Sequence, residues 1–257
     1  MTPWTRIARF VAHGRDIGFL KALRLKARWL GVLEVRDPDL AHPMYLRPGT
    51  SDWWVYRTVV REREFGPLDD LRGVDFILDL GANVGYASAY LLSRFPNARC
   101  LAVEPDPENF VALERNLAPF GNRATCLRAG VWNRNCFLTL ADDAYRGGGE
   151  DSRQVVECGE ETPNAIPGHD IPTLMRMAGA ERIGLCKIDI EGAEAKLLGQ
   201  GDTEWLDLVD NFTIEIHDDS AFGPVTPLFR RAMGDQVFAL STSGELVIGR
   251  RIATTPG

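Results

Sequence analysis

Several absences narrow what this chain can do. No apolar run approaches the length needed to cross a bilayer as a helix. The five cysteines, Cys100, Cys126, Cys136, Cys158 and Cys186, are odd in number and include no C-x-x-C pair. They read as core thiols in a reducing compartment such as the cytoplasm, and neither a disulfide frame nor a zinc site is expected. A net basic charge is missing too. The formal charge of −7 argues against general nucleic-acid binding. No internal repeat is visible, and only four histidines (His13, His42, His169, His217) are available for chemistry near neutral pH. The 257 residues, 45% of them hydrophobic and 25% charged, suffice for one large α/β domain with a substantial core.

Charge is uneven along the chain. Residues 1–31 hold seven basic side chains against the single acid Asp16, a net of +6 that leaves −13 for the remainder. Ile17, Leu20, Leu23, Trp29 and Leu30 can share one helix face. Residues 1–40 are therefore read as a basic helical segment and 41–257 as the main domain. The segment is expected to pack on the acidic body or on a second copy in a homodimer. Peripheral contact with an anionic membrane is the alternative.

Phe76-Ile-Leu-Asp-Leu-Gly-Ala-Asn-Val-Gly-Tyr86 is the most informative stretch. Phe76 to Leu80 is a short apolar run of the kind buried on both faces of a parallel sheet. Gly81 permits a tight turn, and Gly85 lets the next helix lie close to a ligand or strand. Cys100 to Val103 is a second buried strand, and Glu104 ends it about twenty residues after Gly81, where an acid meets a ribose diol in nucleotide-binding βαβ units. A dinucleotide would want G-x-G-x-x-G over its pyrophosphate. Here Asn83 stands where the second glycine belongs. That suits a ligand without pyrophosphate, and S-adenosylmethionine fits.

These residues resemble the class I S-adenosylmethionine-dependent methyltransferases and, among them, the FkbM family. The resemblance rests on Asp79-Leu-Gly-Ala-Asn-Val-Gly85, Val103-Glu-Pro105, Lys187-Ile-Asp-Ile-Glu-Gly-Ala-Glu194 and Leu46-Arg-Pro-Gly-Thr-Ser-Asp52, and covers roughly residues 41–240. It implies O-methylation of a hydroxyl on a sugar, glycolipid or secondary metabolite. An NAD-dependent oxidoreductase on the same sheet and a non-catalytic cofactor-binding module are the competing readings.

The pattern from Val74 onward predicts a Rossmann-like, doubly wound, mostly parallel sheet. Strands are expected near 75–80, 99–104, 124–131, 183–189 and 211–216, with helices near 84–94, 107–118 and from Glu191. Cys136–Leu140 and 153–158 read as an antiparallel insertion around Gly147-Gly-Gly149. Val237–Leu240 and Leu246–Ile248 read as a closing antiparallel hairpin.

Ligands of such sheets sit at the strands' carboxyl ends. Asp79, Gly81, Ala82, Asn83, Gly85, Glu104, Pro105 and Val131 are the expected cofactor residues, Asp79 toward the methionine end and Val131 toward the adenine. Asp189 and His217 are expected to act on the acceptor hydroxyl, His217 as general base and Glu191 orienting the site. Glu194 is read as a first-turn acid that complements a helix dipole. A magnesium ion on Asp189, Glu215 and His217 ranks below the metal-free reading, because their spacing is no recognised metal motif.

Overall fold

A computed structural model describes residues 32–141, 154–199, 203–234 and 237–252. The basic segment up to residue 31 and the triple glycine 147–149 lie outside the described residues. A short hairpin, β1 (Leu33–Val35) and β2 (Met44–Leu46), opens the described chain. The hairpin spans the boundary expected at residue 40. Strand β1 pairs across it, Leu40 enters the main core, and Asp37 holds Tyr56 Oη and Arg61, so residues from 33 onward belong to the body. Helix α1 (Asp52–Tyr56) follows and widens into a π-turn over Arg57–Arg61.

The central layer is built from β3 (Phe76–Leu80), α2 (Tyr86–Arg94), β4 (Arg99–Val103), α3 (Pro107–Leu117) and β5 (Ala124–Leu127). Asp106 caps α3 by accepting from the amides of Glu108 and Asn109, and Pro107 occupies the first turn, where no intrahelical donor is needed. An insertion sheet follows: β6 (Gly130–Val131), β7 (Cys136–Leu140), β8 (Val155–Cys158) and β9 (Ile166–His169). The chain returns through α4 (Ile171–Ala178), β10 (Leu185–Ile188), α5 (Glu194–Gly199), β11 (Asn211–Glu215) and α6 (Thr226–Met233), then closes with β12 (Phe238–Ser243) and β13 (Leu246–Arg251).

The seven-stranded sheet has the order β12-β13-β11-β10-β3-β4-β5. Strands β5 to β11 along that order are parallel, and β13 runs antiparallel to both its neighbours. Alternation along β3 explains why the sheet is covered twice. Ile77 joins the core beneath α1, α2 and α3, whereas Phe76, Leu78 and Leu80 join the core of α4, α5 and α6. Each such fully buried aliphatic side chain contributes about 1.5–3 kcal/mol.

Two expectations change. The strand anticipated over 124–131 is split. Its first half pairs with β4, and its second half leaves the sheet to pair with β9 in the insertion. The helix expected from Glu191 begins at Glu194 instead, because Glu191 has a left-handed backbone, φ 53°, in the turn before it. Among the described residues, no helix is long and apolar enough to cross a membrane.

Candidate active site

The strand order reverses between β3 and β10, and at such a switch point the two flanking loops part to leave a crevice. Two clefts meet there. One, of about 540 Å³, lies above β3 and β4 and is lined by Gly81, Asn83, Glu104, Pro105, Val131 and Asp189 among others. The second, of about 1010 Å³, opens on the side of α1 and α2. Asn83, Asp189 and Glu191 line both.

The turn after β3 is pinned to the end of β4. Gly81 and Ala82 donate their amides to the Val103 carbonyl, and Asn83 donates its amide to Glu104 Oε2 at 2.8 Å. Glu104 Oε1 accepts from the Asp106 amide at 2.9 Å. Each carboxylate oxygen keeps a further lone pair for a ligand hydroxyl. Burial pushes the Glu104 carboxyl up to about 7, against the pull of those two amides. Gly81 has φ 77°, and a Cβ on it would lie 1.7 Å from the Asp189 carbonyl oxygen. Glycine is thus demanded by the neighbouring strand end as well as by the turn. Gly85 does not line the cleft. Its missing Cβ makes room for Leu113 of α3, so the close neighbour is a helix, where the sequence suggested a ligand or strand. Ala82 lines the second cleft and not the first.

Asp79 is fully buried beneath the turn and lines neither cleft. Ser88 Oγ donates to its Oδ2 at 2.5 Å, and Lys187 Nζ stands 3.3 Å from its Oδ1. Lys187 sits beside Asp79 in register across β10 and β3, which brings the two side chains together on one face. Its ammonium donates to the Gly81 carbonyl at 2.7 Å and lies 3.3 Å from Asp189 Oδ2. Burial opposes the charge on Lys187, but Asp79 and Asp189 more than restore it and hold its pKa above the usual value. The sequence motif contained Lys187 without a role. In the fold it ties β3, the glycine turn and Asp189 together.

His217 is the largest departure from expectation. It is completely buried and lines neither cleft. Its Nδ1 lies 3.0 Å from Glu194 Oε1, and its Nε2 lies 3.3 Å from Glu215 Oε1 and 3.5 Å from Glu191 Oε2. Burial alone would favour neutral imidazole. The hydrogen bond to Glu194 and the nearby carboxylates of Glu215 and Glu191 override it and raise the pKa to about 11. A charged imidazole accepts no proton, so this arrangement gives no support to the general-base role expected for His217. Glu194, read as a dipole acid, is itself fully buried and accepts from both the Ile190 amide and His217.

Glu191 carries a carboxyl raised above its usual range by burial and by Asp189, with His217 opposing. The second cleft adds Glu64 from beyond α1 and Glu245 from the β12–β13 turn, which the sequence did not single out. Burial, then Glu215 and Asp189, push Glu64 up to about 7. Trp54, Val59, Phe65 and Tyr86 add apolar surface to the lining.

A sheet of this order with one antiparallel strand, and an acid closing β4 above a glycine turn, define the class of S-adenosylmethionine-dependent methyltransferases. The chain belongs to the FkbM methyltransferase family: residues 79–237 match the methyltransferase FkbM domain. It is 30% identical over 228 residues to the 31-O-demethyl-FK506 methyltransferase FkbM of Streptomyces tacrolimicus, covering 76% of this chain and 86% of that protein. It is 31% identical over 178 residues to methyltransferase sdnD of Sordaria araneosa, covering 58% of this chain and 69% of the relative. Among solved structures, the T. thermophilus 16S rRNA N2 G1207 methyltransferase in complex with AdoMet and guanosine aligns at 15% identity. Its TM-score is 0.43, over 86% of this chain and 50% of that one.

The cofactor is S-adenosylmethionine, and the residues present fit it. Glu104 offers a buried carboxylate for the ribose diol, Val103 and Val131 offer apolar walls, and Asn83 and Asp189 lie where the cleft opens onto the second cavity.

Proposed function

We propose that the chain is an O-methyltransferase acting on a hydroxyl of a neutral, polyhydroxylated small molecule such as a sugar or a sugar-like ring of a secondary metabolite. The observation that carries this reading is the second cavity. It joins the cofactor cleft at Asp189 and Glu191 and is lined by five carboxylates (Glu64, Asp189, Glu191, Glu215, Glu245) and Lys187 together with aromatic and aliphatic side chains. Carboxylates accept hydrogen bonds when ionised and can also donate when protonated, so such a lining suits a ligand rich in hydroxyl groups. The apolar side chains suit the C–H face of a ring. The methyl donor supplies an electrophilic carbon, which leaves two tasks to the protein.

The acceptor oxygen must be held in line, and its proton must go to a base as the bond forms. Asp189 is fixed by Lys187 at the mouth of the cofactor cleft and orients the hydroxyl. Glu191 lines both clefts beside it and takes the hydroxyl's proton once it is itself ionised, which burial and Asp189 delay to about pH 8. The name of the S. tacrolimicus relative, a 31-O-demethyl-FK506 methyltransferase, supports the choice of an oxygen acceptor.

The test is a panel of sugars, polyols and hydroxylated macrocycles, with amines and phenols for contrast, followed by mass spectrometry for one added methyl group. Transfer to an aliphatic hydroxyl is expected. Transfer confined to nitrogen or carbon acceptors overturns the reading. With an accepted substrate in hand, Asp189→Asn should lower kcat by about a hundredfold or more while leaving S-adenosylhomocysteine affinity within about threefold.

A further inference from the structure

The geometry points to a divalent-cation site formed by Asp189, Glu215 and His217 at the floor of the acceptor cavity, able to take a hydroxyl oxygen of the acceptor as a further ligand. This rests on the reading of that cavity as the acceptor site. One ligand atom from each of the three side chains lies within 4.8 Å of the other two. Ligands on an ion with bonds of about 2.1–2.4 Å are about 3 Å apart when adjacent and up to about 4.8 Å when opposite, so the three atoms need little movement to close on one ion.

Three further features argue for a ligand here. His217 is fully buried, and its Nε2 lies out of water with no hydrogen bond although it is directed at Glu215 and Glu191. Glu191 Oε2 is buried without a hydrogen-bond partner in the same place. The other ring nitrogen, Nδ1, is held by the buried Glu194 carboxylate at 3.0 Å. That arrangement fixes ring orientation and tautomer and leaves Nε2 free to bind a metal, as carboxylate–histidine pairs do behind metal ligands. The ring would bind as neutral imidazole, with the Nε2 proton released to solvent.

The donor set selects the class of ion. One imidazole and two carboxylates suit a hard or borderline octahedral cation such as magnesium or manganese and leave positions for water and substrate. A cation there would lower the pKa of a bound acceptor hydroxyl and so ease loss of its proton. Lys187 faces Asp79 and Asp189 and leaves the Glu215 and His217 side of the site to the ion.

The experiment is a titration of the full, chelator-stripped chain with manganese, read by electron paramagnetic resonance and calorimetry, with magnesium as competitor. One manganese per chain, displaced by magnesium and weakened at least about tenfold by Glu215→Gln, is the expected result. Glu215 is partly exposed, so that variant should fold; His217→Asn is the second variant, with its circular dichroism checked first. The proposal is overturned if no manganese binds at millimolar concentration, or if Glu215→Gln and His217→Asn bind it as the parent does. Methyl transfer to a hydroxyl acceptor, measured alongside, separates the two readings. A chain that methylates a hydroxyl but binds no manganese loses only the cation site, whereas one that binds manganese and methylates no hydroxyl keeps the site and loses the acceptor reading of the cavity.

Discussion

The two clefts that meet at Asp189 are made of different material. The cofactor side draws on strand ends and turns within residues 81–131, on Val155 and on residues 189–191. Its polar geometry is largely backbone: amides of Gly81, Ala82, Asn83 and Asp106 fix the turn and the Glu104 carboxylate. The acceptor side gathers side chains from residues 54–65, 82–87, 187–191, 215 and 245–246. Backbone-built sites tolerate no change of conformation, whereas side-chain-built sites can exchange one residue at a time. One fold can therefore keep its cofactor while its acceptor cavity changes.

The sharpest way to break the comparison is to strike the backbone. In Gly81→Ala the added Cβ meets the Asp189 carbonyl in a region of φ that L-residues rarely adopt. We expect loss of S-adenosylhomocysteine binding by calorimetry together with a lower melting temperature, since β3 and β10 must separate. Unchanged affinity would mean that the turn tolerates an alternative path and that the cofactor side is less rigid than its hydrogen bonds imply.

The same difference decides what the sequence could reveal. Strand β3, its turn, α2 and Glu104 are contiguous or lie at a fixed spacing, so local pattern and the βαβ rule locate them. Asp189 was legible because an acid closing a buried strand is costly without a purpose. His217 was placed on the right strand end, since alternation gives the face. The buried acid that holds its Nδ1 is Glu194 on α5, and no local pattern encodes that encounter. Glu64 and Glu245 escaped for the same reason. They are ordinary acids of a helix-following turn and a hairpin until the fold brings them together. The split of the 124–131 strand was hidden because both halves are apolar and differ only in their partners.

A smaller effect sharpens the cofactor side. Glu104→Gln keeps the shape but removes the charge that strengthens a hydrogen bond to the ribose. Such charge-assisted bonds contribute about 1.5–3 kcal/mol, or about ten- to a hundredfold in affinity for S-adenosylhomocysteine. The carboxyl ionises at about 7 and the ligand favours the ionised form, so parental affinity should rise from pH 6 to pH 8. That rise should vanish in the variant. A pH-dependent variant would place the titrating group elsewhere.

The smallest effect concerns the acceptor side and runs in the opposite direction. Glu64 takes up its proton at about 7 in the fold, against 4.5 for a free glutamate, because burial and the charges of Glu215 and Asp189 disfavour the carboxylate. The folded state therefore binds more protons than the unfolded chain between those values, and this group's contribution to stability falls as pH rises through that window. Replacing it with glutamine removes the repulsion and keeps the volume. Glu64→Gln should raise the melting temperature by a few degrees at pH 8 and by little or nothing at pH 4, where the parental residue is neutral in both states. Acceptor KM should change while S-adenosylhomocysteine affinity does not. A destabilised variant at pH 8 would show that Glu64 is needed as a hydrogen-bonding anion, and the acidic cavity would then be a structural network that holds the α1 segment to the hairpin.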